Sequence, residues 1–255
     1  MYMVRVAGSL DDFGEWPIDG AEERTGETWV YFSNQVVARS FARAHAGKIE
    51  RARWEVNLEY QDQWLATPVG QLWWITPDTD SDPTPLGRYR LTMRKGLVFG
   101  AGDHDTTRGC LEMMERVCFT GQRVFDLGTG TGILSEAAKL LGAKVTIACD
   151  LEADAASMAR QRGVDAYQGP SFAMRSGSFD VLLVNIPGYA HLDLTPEYGR
   201  LLRPGGTLLM SGYYEWQSER IEAALPNFLK RDQIVLGDGW IASIFSQATA
   251  TASSD

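Results

Sequence analysis

Long apolar runs are what this sequence most plainly lacks. None approaches the roughly 20 residues that a membrane-spanning helix needs, and the opening Met1-Tyr2-Met3-Val4-Arg5 has no signal-peptide core, so a cytoplasmic protein is expected. Cysteine is scarce: Cys110, Cys118 and Cys149 are odd in number and never spaced C-x-x-C. That excludes a disulfide framework and a zinc site, and the three thiols are expected to be buried. Of the three histidines, His45 and His191 stand alone, and no chemistry is assigned to them. Positive charge is also short, with 24 Lys and Arg against 33 Asp and Glu and a net charge of −9. Free nucleic acid requires a basic surface, so neither it nor a membrane is the expected partner, and a basic protein fits better. Between residues 11 and 27 the acids Asp11, Asp12, Glu15, Asp19, Glu22, Glu23 and Glu27 face one base, Arg24. The run reads as a solvated loop, or as a steering patch for a basic protein.

What is present is a strand-to-helix corner. Val124-Phe125-Asp126-Leu127 runs into Gly128, Gly130 and Gly132, and a second strand ends on Asp150. Glycine at such a corner lets a ligand approach the main chain. A dinucleotide fingerprint requires glycine three positions beyond Gly130, where Ile133 stands, so NAD is disfavoured. No Lys-Ser/Thr pair follows, which excludes a triphosphate-binding P-loop. The remaining pattern, D-x-G-x-G-x-G, is that of S-adenosylmethionine-dependent methyltransferases of the doubly wound class. Asp126, Gly128, Thr129, Gly130 and Asp150 are the cofactor-binding candidates it supplies, with Asp150 expected at the ribose hydroxyls.

The 255 residues can bury a full core. The first sixty read as a small ferredoxin-like α+β unit: strands over 3–7, 28–32 and 48–55, and a helix from Ser33 to about Ala46 with Val36, Val37, Ser40, Phe41 and Ala44 on one face. A tryptophan-bearing stretch follows, with Trp64, Trp73 and Trp74 expected to pack, and then the polar connector 78–85. Beyond it, strand and helix alternate as a parallel, doubly wound sheet requires. Strands are expected at 123–127, 144–149, 164–167, 179–185 and 207–211, helices at 106–117, 133–141, 153–161, 196–202 and 215–225, and a closing hairpin over 233–236 and 240–245. The unbroken apolar run Val181-Leu182-Leu183-Val184 is that of a strand buried on both faces.

A second constellation, Leu97-Val98-Phe99-Gly100-Ala101-Gly102-Asp103-His104-Asp105-Thr106-Thr107, places hydroxyls at a helix N-terminus, where backbone donors point outward. Capping by Asp105 or Thr106 is the plain alternative. This loop resembles the F-G-T-G-x-H-x-T-T signature of PrmA-type methyltransferases, which trimethylate amino groups of the eleventh protein of the large ribosomal subunit. The resemblance extends over Val124–Leu134, Asp180–Asn185, Arg203-Pro204-Gly205-Gly206, Ser211-Gly212 and the stretch 54–77. It implies a seven-stranded class I S-adenosylmethionine methyltransferase sheet over 88–247, a substrate-recognition domain over 1–60 and an interdomain region over 61–87; the polar residues 248–255 read on composition as a disordered tail. It also implies Phe99 and Thr107 at the cofactor pocket, with Thr107 and Gly128 at its methionine end, and Asn185 beside the reactive methyl. The Asn185 side chain and the Ile186 carbonyl are then expected to hold the acceptor amine; no general base is identified. Ala101 and the stretch Asn185-Ile186-Pro187-Gly188-Tyr189 depart from the family pattern. A protein N-methyltransferase acting on a large-subunit ribosomal protein is the leading expectation. The alternatives are another acceptor (a different protein lysine, a glutamine amide or a small amine) and a non-catalytic cofactor-binding module.

Overall fold

The computed structural model describes residues 2–10, 16, 18, 20–24, 26–32, 35–51, 65–93 and 104–249. The chain divides into two compact units, Met1–Val56 and Asn57–Asp255.

In the first unit β1 (Tyr2–Ala7), β2 (Gly20–Arg24), β3 (Glu27–Phe32) and β4 (Lys48–Arg51) pair in the order β2-β3-β1-β4, antiparallel throughout, as in a ferredoxin-like sheet. Val4, Val6, Val30 and Phe32 turn to one side and meet the helix α1 (Gln35–Ala44). The helix buries Ala38, Phe41 and Ala42, while Val36 is exposed, so the inward face is rotated from the one the sequence led us to expect. The reason is aromatic: Phe41 packs on Phe32, His45 and the edge of Trp16, and small alanines on either side let it seat. The acidic run also needs correction, because residues 20–24 are an edge strand and not a loop. Charge along an edge strand disfavours pairing with a further chain, so the acidic composition concealed it.

The second unit holds two sheets. In the smaller, β5 (Thr67–Val69) runs antiparallel to β6 (Trp73–Pro77), which pairs in parallel with β7 (Tyr89–Met93). Trp73 is wholly buried and its indole N–H donates to the Leu111 carbonyl at 2.7 Å. The larger sheet contains β8 (Arg123–Leu127), β9 (Val145–Asp150), β10 (Asp165–Gln168), β11 (Phe179–Asn185), β12 (Leu202–Tyr214), β13 (Phe228–Val235) and β14 (Trp240–Gln247). Their order is β10-β9-β8-β11-β12-β14-β13, with the first five parallel and β14 antiparallel between β12 and β13. This is the doubly wound, seven-stranded sheet expected.

Helices α2 (Asp105–Met114) and α3 (Ile133–Leu140) cover one face of it, packing with Trp73, Ile75 and Leu91 of the small sheet against Leu183 and Leu209. Helices α5 (Gly188–Leu201) and α6 (Glu215–Ala223) cover the other, where Tyr198, Leu201 and Ile221 meet Phe125, Leu182, Val184 and Met210. α4 (Ala153–Gln161) buries alanines under β10. Alternate residues of β11 therefore serve two cores, which is why its sequence shows no polar face.

α5 begins eight residues before the position expected, with Pro196 inside it. A mid-helix proline removes the N–H that would meet the carbonyl four residues back. Here the Thr195 hydroxyl donates to that carbonyl, Leu192 O, at 3.3 Å, so the helix continues. Among the described residues no helix is long and apolar enough to cross a membrane. Cys110 and Cys149 are buried and their thiols are pushed up by desolvation, Cys149 to about 11, but Cys118 is exposed, contrary to expectation.

Candidate active site

The strand order reverses between β8 and β11, and in open α/β sheets ligands bind beyond the carboxyl ends of the strands at that reversal. Leu127 of β8 lies opposite Val184 of β11. The glycine corner and Asn185 thus face each other across the crevice.

Gly128, Gly130 and Gly132 all have left-handed φ, +74°, +53° and +81°, a conformation that is strained for other residues. The turn is strapped to the end of β9. The N–H groups of Gly128 and Thr129 donate to the Cys149 carbonyl at 2.9 and 3.0 Å, and the Gly130 N–H donates to Asp150 Oδ2 at 2.9 Å. Asp150 Oδ1 accepts from the Glu152 N–H at 3.0 Å. Each carboxylate oxygen has one backbone donor and retains acceptor capacity. Gly128 leaves room for Ile186: a Cβ there would lie 2.4 Å from Ile186 Cγ2.

Asp126 is buried beneath this corner, its Oδ2 accepting from the hydroxyls of Thr129 at 2.7 Å and Ser135 at 2.6 Å. Asp126 and Thr129 thus brace the turn from below. Burial raises the Asp126 carboxyl to about 6, against the lowering effect of both hydroxyls. Unfolded, the group titrates near 3.9. Between those values the folded protein holds the extra proton, so this group's contribution to stability falls as pH rises from about 4 through about 6. Asp126→Asn retains an acceptor for both hydroxyls but cannot ionise. Its stability relative to the parent should therefore improve by about 2 kcal/mol from pH 4.5 to 7.5, measured by denaturant unfolding at both pH values. A difference that does not change with pH would contradict the assignment.

On the opposite side, α2 brings Thr107 to Asn185. Nδ2 of Asn185 donates to Thr107 Oγ1 across a long 3.5 Å, both side chains being buried. Among the described residues Asn185 Oδ1 is buried without a hydrogen-bond partner. A buried unpaired acceptor costs about 1–3 kcal/mol, so it marks a position where a donor is called for. The helix cap is His104, whose Nδ1 accepts from the Thr106 N–H at 3.3 Å, in place of Asp105 or Thr106. The His104 ring meets Trp240 edge-on, and Trp240 stacks on Tyr214. Phe99 and the rest of the loop before His104 lie outside the described residues.

Ile186 was expected to offer its carbonyl to the acceptor. That carbonyl lies beside Gly212, the bulged residue of β12 with φ +94°, and beside the His191 imidazole. Its side chain is what reaches the glycine corner. No chemistry was assigned to His191 from the sequence, and Gly212 entered only through the resemblance of Ser211-Gly212. A glycine directly after the run Thr207–Ser211 was the available signal for a bulge; a lone histidine offered none.

Residues 19–248 match the family described as ribosomal protein L11 methyltransferase (PrmA). The chain belongs to that family. A ribosomal protein L11 methyltransferase of Pseudomonas fluorescens (strain SBW25) is 33% identical over 204 residues, covering 77% of this chain and 69% of that protein. Its counterpart in Pseudomonas putida (strain W619) is 34% identical over 200 residues, 76% of this chain and 68% of that protein. Among solved structures, the ribosomal protein L11 methylase of Lactobacillus delbrueckii subsp. bulgaricus superposes with a TM-score of 0.66 at 27% identity, over 72% of this chain and 100% of that one. As a PrmA-family member the chain is an S-adenosylmethionine-dependent methyltransferase, and its seven-stranded sheet is that of class I.

Proposed function

We propose that this PrmA-family chain transfers methyl groups from S-adenosylmethionine to amino groups of ribosomal protein L11, the substrate in its relatives' names. One observation carries the site assignment: a glycine corner bonded to Asp150 faces a buried asparagine whose acceptor oxygen has no partner among the described residues. The residues present fit the cofactor. Asp150 has acceptor capacity on both oxygens for a ribose diol, and Gly128 and Gly130 put bare main chain at the crevice. When bound, S-adenosylmethionine supplies a methyl group already activated by its sulfonium.

The protein's own work is alignment. Asn185 Oδ1 accepts an N–H of the acceptor amine and turns its lone pair toward the methyl, within the roughly 3 to 3.5 Å that displacement requires. Thr107 fixes the amide, and Ile186 walls the corner with its side chain. The amine must be neutral to attack. A lysine, with an ordinary pKa of about 10.4, gives up its proton less readily than an α-amino group near 8, and water at the open edge of the crevice takes it in either case. The net charge of −9 suits a basic ribosomal protein, and a ribosomal substrate implies work in the cytoplasm. The first unit is assigned to gripping that substrate.

Incubation with labelled S-adenosylmethionine and either isolated L11 or total ribosomal protein, followed by mass spectrometry, tests the reading. Label on L11 amino groups is the expected result. Label on another protein alone, or on none, overturns it.

A further inference from the structure

We infer that His191 is a positioning residue for methyl transfer, tying the turn after β11 to the bulged end of β12 and so holding the Asn185 amide where the acceptor amine meets it. The inference rests on the role given to Asn185 above.

His191 lies on the first turn of α5, immediately beyond Asn185-Ile186-Pro187, and is wholly buried. Nε2 lies 2.9 Å from the Ser211 carbonyl and Nδ1 lies 2.8 Å from the Tyr198 hydroxyl. A carbonyl can only accept, so Nε2 carries the proton, and Nδ1 must then accept from the Tyr198 O–H. Burial lowers its pKa to about 4, with the carbonyls of Ser211 and Ile186 opposing. The ring is therefore neutral, in a single tautomer, near neutral pH.

Its partners sit on the elements that define the acceptor side. Ser211 is the register partner of Asn185 across β11 and β12. Ile186 follows Asn185 directly, and its carbonyl is caught between the imidazole and Gly212. Next in the chain, Gly188 is closed in by the Gln217 side-chain amide of α6, which a Cβ would meet at 2.4 Å. The turn is thus held on three sides, and His191 supplies the hydrogen-bonding side. The imidazole has no route to solvent and belongs to an otherwise apolar layer with Tyr198 and Tyr213. A packing role alone would be served by an apolar side chain of similar size, at the cost in stability of the donor that the Ser211 carbonyl loses, and would leave kcat unchanged in the folded protein. That difference separates positioning from packing.

The test uses the full chain, with kcat and KM for the protein substrate, donor affinity by calorimetry, and thermal unfolding. His191→Leu combined with Tyr198→Phe removes the imidazole–phenol hydrogen bond with little change of volume and takes the Nε2 donor from the Ser211 carbonyl, at some cost in melting temperature; kcat should fall about 30-fold or more while the S-adenosylmethionine Kd stays close to the parent's. His191→Gln, whose Nε2 can reproduce the donor to Ser211, should recover most of that loss. Unchanged kcat in the double variant overturns the inference, as does a loss that Gln does not recover or one matched by lost donor affinity. Should the double variant fail to fold, Tyr198→Phe alone decides: a fall in kcat of about threefold or more at unchanged donor Kd supports positioning, and no fall overturns it. Asn185→Ala is measured beside them. If that variant turns over normally, the reading of the site has failed, independently of His191.

Discussion

Asn185→Ala should lower turnover by about two to three orders of magnitude while leaving the dissociation constant for S-adenosylmethionine within about threefold. The asymmetry follows from where the side chain is tied. Among the described residues its side chain makes one hydrogen bond, to Thr107, 3.5 Å long and on the acceptor side, whereas the ribose and methionine ends of the donor are assigned to Asp150 and the glycine corner, which have their own backbone bonds. Removing the amide takes away the group that orients the amine and also abolishes an unpaired buried oxygen, so stability should hold or rise slightly. Single-turnover rates and calorimetry on the same preparation measure both quantities. Equal losses in rate and donor affinity would assign Asn185 to the cofactor alone.

The second large effect is expected at Gly212. An alanine Cβ there would lie 2.0 Å from the Ile186 carbonyl oxygen, 2.7 Å from its carbon and 3.0 Å from its nitrogen. All three are backbone atoms, so no side-chain rotation relieves the overlap, and the left-handed φ adds strain of about 1–2 kcal/mol. We expect Gly212→Ala to lose about 3 kcal/mol or more of stability and nearly all turnover, because the only escape is to push Ile186 and hence Asn185 out of place. Gly87→Ala is the control: its φ of +81° is similar, but among the described residues nothing lies within 4 Å of the added carbon, so it should show the φ cost alone. Chemical denaturation of both gives the difference, and similar losses at the two sites would remove the steric argument.

The parts of the architecture that could be read without coordinates share one property: their signal is local. β8, α4 and β11 were expected within a residue of where they lie, because an apolar run bounded by glycine or by a helix start needs no tertiary information. The glycine corner and Asp150 were paired from spacing alone, and the Gly130-to-Asp150 hydrogen bond joins those residues. Where the reading failed, a tertiary contact had overridden a local cue. Pro196 reads as a helix start until Thr195 is seen to serve the freed carbonyl. The acidic stretch reads as a loop until β3 is there to pair with it. The bracing of the corner by Asp126 was not legible either, because Ser135, nine residues on, meets it only in the folded chain. His191 is the clearest case, since all that gives it meaning comes from Ser211, Tyr198 and Ile186, brought together only by the fold.

The place of β14, inserted between β12 and β13 although it follows both in the chain, bears on biogenesis. While the polypeptide is still emerging from the ribosome, β12 has no neighbour on its outer edge, and Ser211 and Tyr213 lack the Ile241 carbonyl and Ser243 hydroxyl that later receive their hydrogen bonds. The bulge at Gly212 is defined by register with β14, so the acceptor side cannot mature until residues 240–247 have left the exit tunnel. Pairing of β14 with β12 is therefore expected to complete the bulge at Gly212 after the rest of the sheet has been synthesised.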